Sequence, residues 1–221
     1  ARDPAALRSE VRSLLRRRAL VADDESDLER QAAEAVHAVM GVRTRELVRA
    51  ALADSLDGVD PERTARILTD ATDAVLDGVL SLATGMVVAS RDGARAVESG
   101  PRGDGTWSGA LARHAVIAMG RFGGAEITYA SDADVLFVHE ARPGADRREA
   151  ADEAEAVARL VVRLLSRAQP HSLEVDADLR PEGRRGPMSR SPGSYADYYE
   201  RWSSVWERQA LLRARACAGD A

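Results

Sequence analysis

Residues 119–134 read Met119-Gly-Arg-Phe-Gly-Gly-Ala-Glu-Ile-Thr-Tyr-Ala-Ser-Asp132-Ala-Asp134, a glycine-rich turn that leads into an Asp-x-Asp. Just before it lies His114-Ala-Val-Ile-Ala-Met119, a short apolar run closed by glycine, and the run Asp134-Val-Leu-Phe-Val-His139 follows. Both have the pattern of buried strands. Residues i and i+2 of a strand point to one face, so Asp132 and Asp134 stand side by side, a costly pairing of like charges unless a cation lies between them. Hard oxygen ligands of this kind suit Mg²⁺ or Mn²⁺ rather than zinc. Glycines in the turn let backbone N–H groups come close to a phosphate. The segment therefore predicts a site for a metal–triphosphate complex.

Downstream, 146–168 has the period of a helix, with Ala154, Val157, Val161 and Leu164 on one face, and 172–179 alternates as a strand does. That strand would place Glu174, Asp176 and Asp178 on one side. A two-metal site needs a third carboxylate, and alternation alone does not choose among the three. Residues 181–193 are rich in proline and glycine, and Arg180, Arg184, Arg185 and Arg190 in or beside them could offset phosphate charge. A last helix is expected from about Ser194 to Ala218. Trp202 and Trp206 on it are four residues apart and read as an anchor that packs the helix on the sheet.

Upstream, the pattern is helical almost throughout. Leu7, Val11, Leu14 and Leu15 make one apolar stripe, and Ser26 with Glu29 reads as a capping box for a second helix that carries Leu28, Ala32, Val36 and Val39 and stops at Gly41. A third helix is expected near 44–56. Asp60-Pro61 then starts a fourth, with Leu68, Ala71, Val75 and Val79 inward. The fold class predicted is α+β: a helical region over 1–90, a flexible loop or linker over 91–109, and a mixed-sheet domain over 110–221.

Composition bounds the function. A chain of 221 residues that is 45% hydrophobic and 30% charged is that of a folded globular protein. The net charge of −5 argues against an electrostatic grip on nucleic acid. Cys217 is the only cysteine, so no internal disulfide and no cysteine-rich zinc site can form, which suits a reducing cytoplasm. No secretory or membrane segment stands out. Histidines at 37, 114, 139 and 171 lack metal-ligand spacing, and there is no Gly-x-Ser-x-Gly or Walker loop. The chain starts at Ala1 and stops while its pattern is still helical, which leads to the expectation of a piece of a longer protein.

Three blocks in order carry a resemblance: 118–126 with 131–137, then Val175-Asp-Ala-Asp-Leu-Arg-Pro-Glu-Gly with Gly186-Pro, then Tyr199-Glu-Arg-Trp and Trp206-Glu-Arg-Gln-Ala-Leu-Leu-Arg-Ala-Arg. The chain resembles the glutamine synthetase adenylyltransferases, whose catalytic domain has the nucleotidyltransferase fold of DNA polymerase beta. The resemblance implies that Asp132 and Asp134 hold metal ions, that Asp176 is the third carboxylate, and that the substrates are ATP and a tyrosine of glutamine synthetase. Gly120, Gly123, Gly124 and Ser131 are the candidate nucleotide contacts at the turn, joined by Arg180 and Arg184. Arg121 departs from the small residue usual in the superfamily. A PII-type signal protein is an expected partner of the full-length enzyme. The flanking text looks more like the AMP-adding half than the AMP-removing half. Phosphorolytic removal of AMP, or a docking module without catalysis, are the alternatives.

Overall fold

The computed structural model describes residues 2–17, 25–58, 60–93, 101, 106–168 and 172–220, with the side chains of 17, 25–27 and 57 left aside. The side chain of Ser26, expected in a capping box, lies outside the described residues. So do 94–100 and 102–105, most of the expected linker.

The helical region holds α1 (Pro4–Arg17), α2 (Glu25–Asp57) and α3 (Pro61–Asp92). The expected break at Gly41 is absent, and α2 runs through it as one helix. The reason is the stripe it buries: Ala32, Ala35, Val36, Val39, Met40, Val42 and Ala50 continue across Gly41 with unbroken helical spacing. A mid-helix glycine costs about 1 kcal/mol, less than the burial of one such side chain contributes. Thr44, expected near a helix start, instead donates its hydroxyl to Met40 O, 3.0 Å away, as a mid-helix residue does.

Asp60 caps α3 as expected, its carboxylate accepting from Glu62 N at 3.2 Å, with Pro61 in the first turn. This helix continues to Asp92, two residues into the expected linker, because its last turns are also covered. Gly85 lies flat against the Trp107 ring, where a Cβ would overlap it, and Trp107 Nε1 donates to Ser81 O at 2.6 Å. By length and composition α3 could cross a membrane, yet 89% of its apolar window is buried within the protein.

Among the described residues five strands make the mixed sheet: β1 (Ala112–Ala118), β2 (Ala133–Ala141), β3 (Val175–Asp176), β4 (Ser189–Arg190) and β5 (Arg215–Gly219). The order is β3-β2-β1-β5, with β4 beside β2 further along; β1 is antiparallel to β2 and β5, while β3 and β4 run parallel to β2. The predicted α+β class with a mixed sheet is thus present. The helix α5 (Arg147–Ser166), capped by Asp146, packs Val157, Val161 and Leu165 into one core with Val116, Val135 and Phe137 from the sheet and Val36, Val75 and Leu76 from α2 and α3. On the opposite sheet face Leu136 packs with Met119 and Tyr195.

Two expectations for the C-terminal third are corrected. The strand over 172–179 shrinks to Val175–Asp176, because Asp176 Oδ1 accepts from Asp178 N at 2.7 Å and Arg180 N donates to Ala177 O at 3.2 Å, which turns the chain away. The single helix over 194–218 is replaced by α6 (Pro192–Arg201), α7 (Val205–Ala210), a 3-10 turn (Leu211–Arg213) and β5. Ser204 and Glu207 form a capping box that starts a new helix, which α6 therefore cannot continue into. The open edge of β1 then takes up Arg215–Gly219, whose alanines and cysteine are small enough to slide beneath α3.

The tryptophans do not anchor anything onto the sheet: Trp202 is 75% exposed and Trp206 58%. Trp206→Ala is accordingly expected to change unfolding free energy by no more than about 0.5 kcal/mol, the range for surface positions, where a buried tryptophan would cost about 3–5 kcal/mol. Denaturant titration of the variant and parent measures the difference.

Candidate active site

The antiparallel β1–β2 pair ends where β1 runs into the glycine turn, with Met119 N donating to Asp134 O at 2.8 Å. The chain then enters a single helical turn, α4 (Gly120–Gly123). Gly120 sits at φ +52°, a left-handed conformation, and a Cβ there would fall onto Asp134 Oδ2. Glycine is thus required twice at this position, for the backbone and for the close approach to the carboxylate.

Because β2 runs parallel to β3 with Asp134 beside Asp176 in register, the pleat turns both carboxylates to one side. Asp132, two residues before Asp134, joins them. One oxygen from each of Asp132, Asp134 and Asp176 lies within 4.8 Å of the others, and all three residues are half-buried. Burial first, then the charges of Asp132 and Asp176, raises the Asp134 carboxyl above the ordinary carboxylate range, and Arg121 only partly offsets this. Three oxygen donors with an excess of negative charge at one point fit a hard divalent cation. Alternation left Glu174, Asp176 and Asp178 open; the register and the turn after Asp176 separate them. Asp178 instead accepts from Arg184 Nε at 2.6 Å and Arg180 Nη1 at 3.3 Å, and Arg184 holds its carboxyl below the usual range. The Glu174 carbonyl accepts from Ala133 N at 2.9 Å.

The other candidates fall in different places. Gly123 and Gly124 donate their N–H groups within the turn, to Met119 O at 2.6 Å and Gly120 O at 3.2 Å. Ser131 Oγ accepts from Thr128 N at 2.9 Å, so its hydroxyl closes the loop before Asp132. Arg180 is buried, donating to Gly186 O at 3.2 Å and Ala177 O at 2.8 Å, and so ties the loop after β3 together. The exposed Arg184 side chain stands close enough to Asp176 to sense its charge. Of the predicted set, the structure gathers Gly120, Asp132, Asp134 and Asp176, with Arg184 at the rim.

Sequence reasoning missed Arg215 and Phe122. Phe122 is fully buried beneath the turn, and the Arg215 guanidinium lies 5.7 Å from its ring centroid. Arg215 lies in a stretch read as helix, so no periodicity could mark it as a neighbour of the turn.

The family model for glutamate-ammonia ligase adenylyltransferase matches residues 2–221. The chain belongs to that family. Among curated members, the bifunctional glutamine synthetase adenylyltransferase/adenylyl-removing enzyme of Streptomyces avermitilis is 48% identical over 191 residues, 85% of this chain and 18% of the relative. The enzyme of the same name from Streptomyces coelicolor is 46% identical over 222 residues, 99% of this chain and 20% of the relative. That of Mycobacterium tuberculosis strain H37Rv is 45% identical over 188 residues, 83% of this chain and 17% of the relative. The chain spans about a fifth of the length of these adenylyltransferase relatives or slightly less.

Proposed function

We propose that this chain catalyses the transfer of AMP from ATP to a tyrosine of glutamine synthetase, using Mg²⁺ or Mn²⁺. The observation that supports this most is the meeting of Asp132, Asp134 and Asp176 beside the left-handed Gly120 turn, in a family whose members are named for adenylyl transfer to glutamine synthetase and adenylyl removal. A full-length enzyme built around it would also meet a PII-type signal protein.

The roles follow from placement. Asp132, Asp134 and Asp176 hold the divalent ions, which when bound supply the positive charge that acidifies the acceptor hydroxyl and steadies the departing pyrophosphate. The tyrosine oxygen attacks the α-phosphorus in line as the bond to the pyrophosphate oxygen breaks, and Asp176 accepts the hydroxyl proton. Gly120 lets the turn come against the Asp134 carboxylate, because no side chain stands between them. Arg121 and Arg184 offset the charge that collects at the phosphates.

Direction is the part that the carboxylates share between addition and removal, so the test supplies two substrates in parallel. Unmodified glutamine synthetase with labelled ATP and Mg²⁺ is expected to become labelled by this chain. AMP-modified glutamine synthetase with inorganic phosphate is expected to release little ADP. Release of ADP without incorporation of label would reverse the assignment. Neither product, from a folded chain, would point to a docking module.

A further inference from the structure

Arg215 ties the glycine turn of the candidate site to the helical region. Arg215, the first residue of β5, donates from Nη1 to Asp73 Oδ2 at 2.6 Å and from Nη2 to Asp73 Oδ1 at 3.0 Å. This is a two-pronged pair with fixed direction. Asp73 lies in the middle of α3 and is only 6% exposed. The same Nη2 reaches the Phe122 carbonyl at 3.5 Å, and the guanidinium lies over the Phe122 ring. Two residues earlier in the chain, the Arg213 carbonyl touches Gly123 so closely that a Cβ there would overlap it. The segment 213–215 therefore clamps α4 at Phe122 and Gly123.

That clamp has no slack at its far end. Gly120 stands against Asp134 Oδ2 without room for a methyl group, and Met119 N is bonded to Asp134 O. Any displacement of Phe122 is passed through a single helical turn to Gly120, and from there to a carboxylate of the triad. A loosely held turn would let Asp134 move away from Asp132 and Asp176. Sites of this kind need their supporting groups held by packing and hydrogen bonds of their own.

We infer that Arg215 is a positioning residue, and that the Asp73–Arg215–Phe122 chain of contacts couples the helical region to the geometry of the carboxylate triad. This rests on the reading of Asp132, Asp134 and Asp176 as a divalent-cation site. Arg215 touches neither metal nor substrate in this scheme; it acts through the turn. An isolated charge at 215 would not suffice, because the pair uses both edges of a planar fork, which lysine lacks.

The test titrates the chain with Mn²⁺ alone, well below its melting temperature, by calorimetry or electron paramagnetic resonance. Arg215→Lys and Asp73→Asn are compared with the parent and with Leu82→Ala, a core truncation on α3 that lowers stability away from the clamp. Both clamp variants are expected to bind Mn²⁺ about tenfold more weakly, the lower end for groups that orient metal ligands, and to slow AMP transfer by a similar factor. Leu82→Ala is expected to keep the parent's Mn²⁺ affinity. Should Arg215→Lys fail to fold, Asp73→Asn, which preserves shape, decides alone. Parental Mn²⁺ affinity in the clamp variants, or an equal loss in Leu82→Ala, would overturn the inference. No Mn²⁺ binding by the parent itself would overturn the reading of the site, and with it the inference.

Discussion

Replacing Asp132 or Asp134 by asparagine is expected to lower AMP transfer by at least about a thousandfold, since metal-based charge stabilisation is worth several kcal/mol in the transition state and each 1.36 kcal/mol is tenfold in rate. The fold is expected to survive. Asp134 is held above the ordinary carboxylate range by burial and by Asp132 and Asp176. A raised folded value means that the folded chain binds this proton more tightly than the unfolded chain does. Its stabilising contribution is complete below the ordinary carboxylate range and is lost as pH rises through the folded value. In chelator at neutral pH, Asp134→Asn removes that loss, so its melting temperature is expected to equal or exceed the parent's. Acidification is expected to close the gap. Mg²⁺ should stabilise the parent and leave the variant unchanged, because only the parent gains binding free energy. Thermal melts at two pH values, with chelator and with Mg²⁺, read out all three effects. A variant that turns over near the parent's rate would remove Asp132 or Asp134 from the metal set.

Gly123→Ala is expected to destabilise the chain by about 3 kcal/mol, the upper end for overpacking, and to lower the melting temperature by about 6–12 °C for a protein of this size. A Cβ at 123 would overlap the carbonyls of Arg213 and Ala118 at once, and backbone oxygens in a strand and a tight turn cannot swing aside as a flexible side chain would. Gly124→Ala makes the contrast. Gly124 has φ −75°, and a Cβ there meets the Arg213 and Glu126 side chains at 3.4 Å, an ordinary contact. Its cost is expected to stay within about 0.5 kcal/mol. Scanning calorimetry separates the two, and equal costs would show that the C-terminal segment is not packed on the turn as described.

Much of the architecture was legible because the signals are local. The cap at Asp60 is a side chain acting on an N–H group two residues away, so spelling alone reveals it. The strands on either side of the glycine turn are apolar runs of strand length, and the helix between β2 and β3 has one clean apolar stripe. The failures share a different cause. Gly41 would end a helix on local propensity, but a stripe buried against the rest of the helical region overrides it. Residues 215–219 have no strand alternation to read, because their pairing is set by the free edge of β1, some hundred residues earlier in the chain. Trp202 and Trp206 look like core by composition, and nothing in their spacing tells that they face outward.

The site divides along the same line. By itself the sequence predicted that Asp132 and Asp134 stand together after a glycine turn, since residues i and i+2 of an extended chain share a face. It narrowed the third carboxylate to three acidic residues, and resemblance singled out Asp176. Only the tertiary structure decided that Asp176 joins the pair while Asp178 turns to Arg184 and Arg180, because that choice lies in the register between two parallel strands more than forty residues apart. It likewise decided that Gly120 fits against Asp134, that Gly123 packs on a carbonyl from the far end of the chain, and that Arg215 ties the turn to α3. Each of these is a contact between distant segments, and the energy that fixes it comes from burial and pairing that no local stretch of residues contains.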